Sequence, residues 1–220
     1  MQALKRLSSR LSNGNRRSSR GRKRVRHAPH YAPRVESLES RRLLAASVFE
    51  VTNINNSGEG SLREAILAAN AQAGPDVIRF DSSLSGQTIR LSSDGINAGE
   101  ETLSITDDLT IEGLGKDELT IDGAGLFRVF AVLPEALISD PFVSPTADQV
   151  ATSPTVSISG LTVANGLASD ALGYQPPFVF GGGLYNLGGT VELSKMGFEE
   201  NVALGFITAG GAVANEFGGT

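Results

Sequence analysis

Short runs in which apolar and polar residues alternate, each closed by turn residues, recur through the chain and predict a succession of short β-strands. The pattern places them at Ser47–Asn53, Asp76–Phe80, Thr88–Leu91, Leu103–Ile105, Leu109–Ile111, Leu119–Ile121 and Arg128–Val132. Leu109-Thr-Ile-Glu-Gly-Leu-Gly115 and Leu119-Thr-Ile-Asp-Gly-Ala-Gly125 are nearly one phrase, ten residues apart. In each, Leu and Ile take one side and Thr and the acid the other, and the glycines are expected to supply turns with positive φ. Ten residues are too few for a helical crossover between parallel neighbours. They suit successive faces of one coil, each strand stacking on the previous turn.

A longer repeat points the same way. Thr155-Val-Ser-Ile-Ser159 matches Thr190-Val-Glu-Leu-Ser194 at a spacing of 35, and Leu167-Ala168 matches Val202-Ala203 at the same spacing. Gly181–Asn186 matches Gly210–Asn215 at 29; the six-residue difference lies in the loop Ser169–Phe180. A fixed frame with one variable loop is the mark of a solenoid. Asn165, Asn186, Asn201 and Asn215 fall at strand ends, where left-handed turns or ladders between coils are expected.

One segment has helical rather than strand periodicity. In Ser61-Leu-Arg-Glu-Ala-Ile-Leu-Ala-Ala-Asn70 the residues Leu62, Ala65, Ile66 and Ala69 form an amphipathic stripe, and Gly74-Pro75 ends it. Ser61 and Glu64 read as a capping box: the hydroxyl takes the Glu64 amide and the carboxylate returns to Ser61. Ahead of the first coil, such a helix would cover apolar core and unpaired backbone, so Ser61 and Glu64 are assigned to a structural cap.

Charge divides the chain. Residues 1–46 carry 13 Lys/Arg against Glu36 and Glu39, while the remainder carries 6 basic and 22 acidic residues. The first part, rich in Arg, Ser and Gly, has little to bury and is expected to be a disordered basic leader. A nucleic-acid arm would use those charges on phosphates, but the leader lacks interleaved aromatics. A targeting role is favoured over it, and a solvated tail is the bland alternative. The division is therefore 1–46 leader and 47–220 folded region. The chain has no Cys, which excludes disulfides and thiolate sites, and no apolar run long enough for a membrane-spanning helix.

Three resemblances attach to these motifs. Leu38-Glu-Ser-Arg-Arg-Leu-Leu44 resembles the sorting or processing segment that precedes the repeats of very large bacterial surface proteins. Thr52–Ile66, with Ala69-Asn70 and Asp76–Phe80, resembles the opening of bacterial β-helix surface proteins named for a Ser-Leu-Arg-Glu-Ala-Ile run. That family's usual Cys before the run is Gly60 here, so no thiol role carries over. Gly181–Leu184, Phe198-Glu-Glu-Asn201 and Gly210–Val213 resemble the paired motifs of polymorphic outer-membrane protein repeats. The resemblance implies an all-β, right-handed parallel β-helix with one N-terminal capping helix. It also implies secretion or display at the bacterial cell surface, with adhesion as the family role.

Chemistry is sparse. The nearest enzymes by architecture are pectin-lyase-like polysaccharide lyases and glycosidases, which need carboxylates set across a bond or holding Ca²⁺. The acids on offer are Asp81, Asp94, Asp107, Asp108, Asp122, Asp140 and Asp170, and the adjacent pair Asp107-Asp108 reads as a solvated turn. His27 and His30 both lie in the leader, no Ca²⁺ nonapeptide appears, and no phosphate loop precedes the helix. No catalytic, cofactor or metal residue is assigned. Two loops, 134–154 and 171–180, are the places for a polysaccharide or protein partner, with Tyr174, Phe178 and Phe180 as candidate contacts or as residues packed on the coil. The sequence stops one residue into the next predicted strand, so later coils, with any catalytic site or anchor, are expected beyond residue 220. The reading is an exported structural or adhesin-like protein, uncertain as an enzyme and leaning against it; the alternative is a lyase or glycosidase with its site in those coils.

Overall fold

The computed structural model describes residues 46–95, 101–135, 146, 148, 153–169, 178–205, 207–216 and 220. The chain divides into units Met1–Arg41 and Arg42–Thr220, and all described residues belong to the second. The leader, apart from Ala46, therefore lies outside them.

The fold is mostly β, built from parallel sheets, with the helix α1 at Leu62–Asn70. The first sheet holds β1 (Val48–Val51), β2 (Asp76–Phe80), β5 (Leu109–Glu112), β8 (Thr155–Ser159) and β13 (Thr190–Ser194), in that spatial order. The second holds β3 (Gln87–Arg90), β6 (Leu119–Asp122), β9 (Thr162–Ala164) and β14 (Gly197–Glu199). The third holds β4 (Leu103–Ile105), β7 (Phe130–Val132), β12 (Leu184–Leu187) and β17 (Val213–Glu216). Two further pairs join β10 (Leu167–Ser169) to β15 (Val202–Leu204) and β11 (Phe178–Phe180) to β16 (Ile207–Ala209). From β2 onward the chain visits the first, second and third sheets in turn and repeats the circuit.

Sequence neighbours therefore do not pair. β5 and β6, the two similar phrases, lie in different sheets, and each bonds to strands one circuit before and after. The repeats pair at their sequence spacings: Val156 faces Val191, Ala168 faces Ala203, and Leu184 faces Val213.

This register stacks like on like. Ile78, Ile111, Ile158 and Leu193 form one inward column; Ile89, Ile121, Val163 and Phe198 form a second; Leu103, Phe130, Leu184 and Val213 a third. Each fully buried Ile or Leu contributes about 1.5–3 kcal/mol. The fourth column changes chemistry along its length, from Ile105 and Val132 to Asn186 and Asn215. Asn186 is fully buried; its Nδ2 donates to Asn215 Oδ1 at 3.0 Å and to Gly189 O at 2.7 Å. Its Oδ1 accepts from Gly189 N.

Several local expectations need correction. Of the four asparagines, Asn165 is left-handed (φ 51°), whereas Asn186 is a ladder residue and Asn201 a bracket between circuits. Gly115 and Gly125 have positive φ, but Gly113 and Gly123 do not: they are small because neighbouring backbone comes too close for a Cβ. The strand expected at Thr88–Leu91 runs Gln87–Arg90, and the one expected at Arg128–Val132 begins at Phe130. A 3₁₀ turn, Ser82–Leu84, joins β2 to β3.

Candidate functional site

The first site is the cap over the edge of the stack. Ser61 Oγ accepts from Glu64 N at 3.2 Å, as an N-cap should. The reciprocal half of the box differs from expectation, because Ser61 N donates to Gly58 O at 3.1 Å and Glu64 is exposed. Leu62, Ala65, Ile66 and Ala69 are buried in the core cluster. So is Arg63, which the hydrophobic stripe could not flag. Its guanidinium donates to Asn56 O (3.1 Å), Glu101 O (2.8 Å) and Thr102 O (3.4 Å). Asn56 in turn holds Ser92 through both N–H and carbonyl, so helix, turn and loop are tied by two side chains. Seven residues beyond Arg63, Asn70 Nδ2 donates to Ser104 O at 2.8 Å and its Oδ1 accepts from Thr106 N at 3.0 Å. β4 is the end strand of its sheet. Arg63 and Asn70 thus satisfy, by side chain, the polar edge that another strand would otherwise take.

Gly60, where the resembled family has Cys, has φ +77° and a Cβ there would lie 2.3 Å from Thr52 Oγ1. The position is shaped for glycine, and its carbonyl takes the amides of Thr52 and Asn53.

The second site is on the outer face of the third sheet. Tyr185 projects between Ala131 and Ala214, its in-register neighbours, and both alanines are buried. Its hydroxyl donates to Glu216 Oε2 at 2.8 Å, and the Arg128 guanidinium lies 4.9 Å from its ring centroid. The Phe180 ring is stacked at 6.3 Å. Arg128 also donates to Gly181 O (3.0 Å) and Phe180 O (2.8 Å), fastening the chain where the 170–177 segment rejoins the stack. Burial, the hydrogen bond to Glu216 and that residue's charge push the Tyr185 hydroxyl well above its ordinary pKa; Arg128 opposes them weakly. Of the residues named for this loop, Phe180 joins the cluster and Phe178 is the first residue of β11, while Tyr174 lies outside the described residues. Tyr185, Arg128 and Glu216 were missed. The signal was available in the outward position of Tyr185 in a Leu-Tyr-Asn-Leu strand.

The two long segments do not leave from the same connection. Residues 133–154 join the third sheet to the first, between β7 and β8, whereas 170–177 fall between β10 and β11. Topology therefore does not gather them into one insertion site.

Asp81, Asp107, Asp108 and Asp122 are held by backbone amides, whereas Asp94 is exposed and bonded through its own backbone. Asp107 is not merely a solvated turn: its Oδ2 accepts from Gly74 N and its Oδ1 from Asp108 N. Asp108 Oδ1 accepts from Thr155 N at 2.7 Å, and Asp76 Oδ1 from Ser47 N at 2.8 Å, so both brace neighbouring circuits. Asp122 is buried, takes Ala124 N at 2.7 Å and meets Arg90 at 3.3 Å. Asp81 caps the 3₁₀ turn, and the hydroxyl and amide of Ser83 hold its carboxyl below the usual range. Asp140 and Asp170 lie outside the described residues. Among the described residues no three His, Cys, Asp or Glu are grouped to hold a metal ion, and no helix is long and apolar enough to cross a membrane.

No family model, curated protein or solved structure matches this chain. The roles above accordingly rest on geometry. That geometry is of clamps and braces: side chains that satisfy backbone between circuits, and an aromatic shelf packed on a sheet.

Proposed function

We propose that the chain is a right-handed parallel β-helix of an exported or cell-surface bacterial protein. In this reading it serves as a structural, adhesin-like scaffold that presents loops for interaction. The observation that carries the reading is the repeated circuit: parallel strands recur in the same sheet order, in register, with inward aliphatic columns. Such a stack is a rigid support from which connections can lengthen without disturbing the core, as the solenoid logic requires. Residues 133–154 and 170–177 are two such lengthened connections, and the second rejoins the stack at the Arg128–Phe180–Tyr185 shelf. The leader, with Leu38-Glu-Ser-Arg-Arg-Leu-Leu44, is the export or sorting signal.

Asp107, Asp108 and Asp122 spend carboxylate oxygens on backbone braces, which favours presentation over catalysis at these positions. The test uses the full chain on insoluble acidic and neutral polysaccharides and on intact bacterial cells. Retention is expected, without release of reducing ends or unsaturated sugars, and replacement of 136–145 and 171–177 by short Gly-Ser linkers should abolish it while the β-sheet circular dichroism persists. Release of cleaved sugars would overturn the scaffold reading in favour of the lyase or glycosidase. Retention unchanged by linker replacement would overturn the role of the loops.

A further inference from the structure

The chain contains two Asn-Gly pairs, Asn13-Gly14 and Asn165-Gly166. An Asn-Gly bond is the sequence most open to cyclisation, since glycine offers no side chain to hinder attack of its own amide nitrogen on the preceding side chain. In that reaction Gly166 N would bond to Asn165 Cγ, the Cγ–Nδ2 bond would break, and ammonia would leave with the proton lost by the Gly166 amide. Water then opens the succinimide at either carbonyl, giving aspartate or isoaspartate. Isoaspartate adds a carbon to the backbone.

In the folded chain every backbone group around this bond is engaged. Asn165 N donates to Glu199 O at 3.0 Å, Asn165 O accepts from Gly125 N at 2.8 Å, and Gly166 O accepts from Val202 N at 2.8 Å. The nucleophile itself is taken: Gly166 N donates to Asn201 Oδ1 at 2.8 Å, and Asn201 Nδ2 donates to Val163 O at 2.8 Å, fixing the acceptor. Asn165 is meanwhile held left-handed at φ 51°. Neighbouring backbone leaves little slack, because a Cβ on Gly166 would meet Gly182 O at 2.2 Å.

We infer that Asn165-Gly166 is a latent succinimide-forming modification site, and that Asn201, one circuit further along the chain, is the positioning residue that keeps it closed. Asn201 stands between β14 and β15, each of which ends its sheet or pair, so fraying of that circuit would open the site beneath it. The site then records loss of order in the circuit of β13–β17 as a covalent change in the one before. This inference does not depend on what the protein binds.

Deamidation at Asn165 and Asn13 is followed by peptide mapping during incubation of the full chain at mildly alkaline pH. The chain in denaturant supplies the unprotected rate, and Asn13 serves as the internal reference. Asn165 is expected to lag far behind its denatured rate in the wild type, and to convert about 5–30-fold faster in Asn201→Ala, the factor that follows from weakening local closure by one clamp. Conversion of Asn165 in the native wild type as fast as in denaturant would overturn the inference. So would an unchanged rate in a folded Asn201→Ala.

Discussion

A Cβ placed on Gly113 would sit 2.2 Å from Gly160 O, and one on Gly182 would sit 2.2 Å from Val202 O. These glycines are small because circuits touch backbone to backbone. Gly113→Ala is expected to cost about 1–3 kcal/mol, as overpacking does, read as a lower urea midpoint at unchanged slope. Ala124 presents the opposite case: with φ 62° and no Cβ-free backbone, it carries the strain of a left-handed alanine, held by Asp122 Oδ1. Ala124→Gly should therefore raise stability by roughly 0.5–1 kcal/mol. Tyr185 gives a third expectation. Its hydroxyl pKa is raised by folding, so the folded form retains the proton that the unfolded chain loses from about pH 10. The stability it contributes is complete below that pH and is lost as pH rises beyond it. Wild type minus Tyr185→Phe, followed by phenolate absorbance, should show no Tyr185 ionisation until well above the ordinary tyrosine range. Little of this was legible in sequence: positive φ is a natural expectation for any glycine, whereas close approach depends on a register that one strand does not reveal.

At the scale of elements, α1 shows what periodicity reads and what it omits. Leu62, Ala65, Ile66 and Ala69 were identifiable because burial of apolar groups repeats with the helix turn. Arg63 and Asn70 were not, since a polar residue's burial depends on partners that lie 34–39 residues away, among them Glu101, Thr102 and Ser104. Ser61→Ala should cost about 1 kcal/mol through loss of the Glu64 amide bond. Arg63→Ala should cost more, about 1–3 kcal/mol, because the part-buried carbonyls of Asn56 and Glu101 lose the charged donor that ties them to the helix. Asn70→Ala should differ in kind. It frees Ser104 O on the end strand of the third sheet and Thr106 N just beyond it, so concentration-dependent light scattering should rise more than urea stability falls. Equal scattering by Asn70→Ala and wild type would mean that the helix shields this edge by bulk alone.

For the whole molecule, the decisive property is that each circuit bonds only to its neighbours. The repeat spacings of 35 and 29 carried that much in sequence, because stacking demands that Val156 meet Val191 and Leu184 meet Val213. What they could not carry was the placement of the long segments, which depends on where the strands β10 and β11 divide the path from the second sheet to the third. On the proposed solenoid reading, stability is a sum of circuit and interface terms rather than one global number. Strands β2, β5, β6, β7, β8, β9 and β12 have bonded partners on both sides, whereas β13–β17 each stand at the end of a sheet or pair. The last circuit is also less well filled: Val191, Leu193, Met196, Phe198 and Val213 are only partly buried, and Leu204 is 54% exposed. Amide hydrogen exchange should therefore be slowest in β2, β5–β9 and β12 and faster through β13–β17, with β13 the slowest of that group because Thr220 pairs with its start through Gly189 O and Val191 N. A single exchange rate shared by all three sheets would mean that the stack opens only as a whole. Graded rates would show that each circuit is held mainly by those on either side of it, and would place the opening that exposes Asn165 among the earliest events.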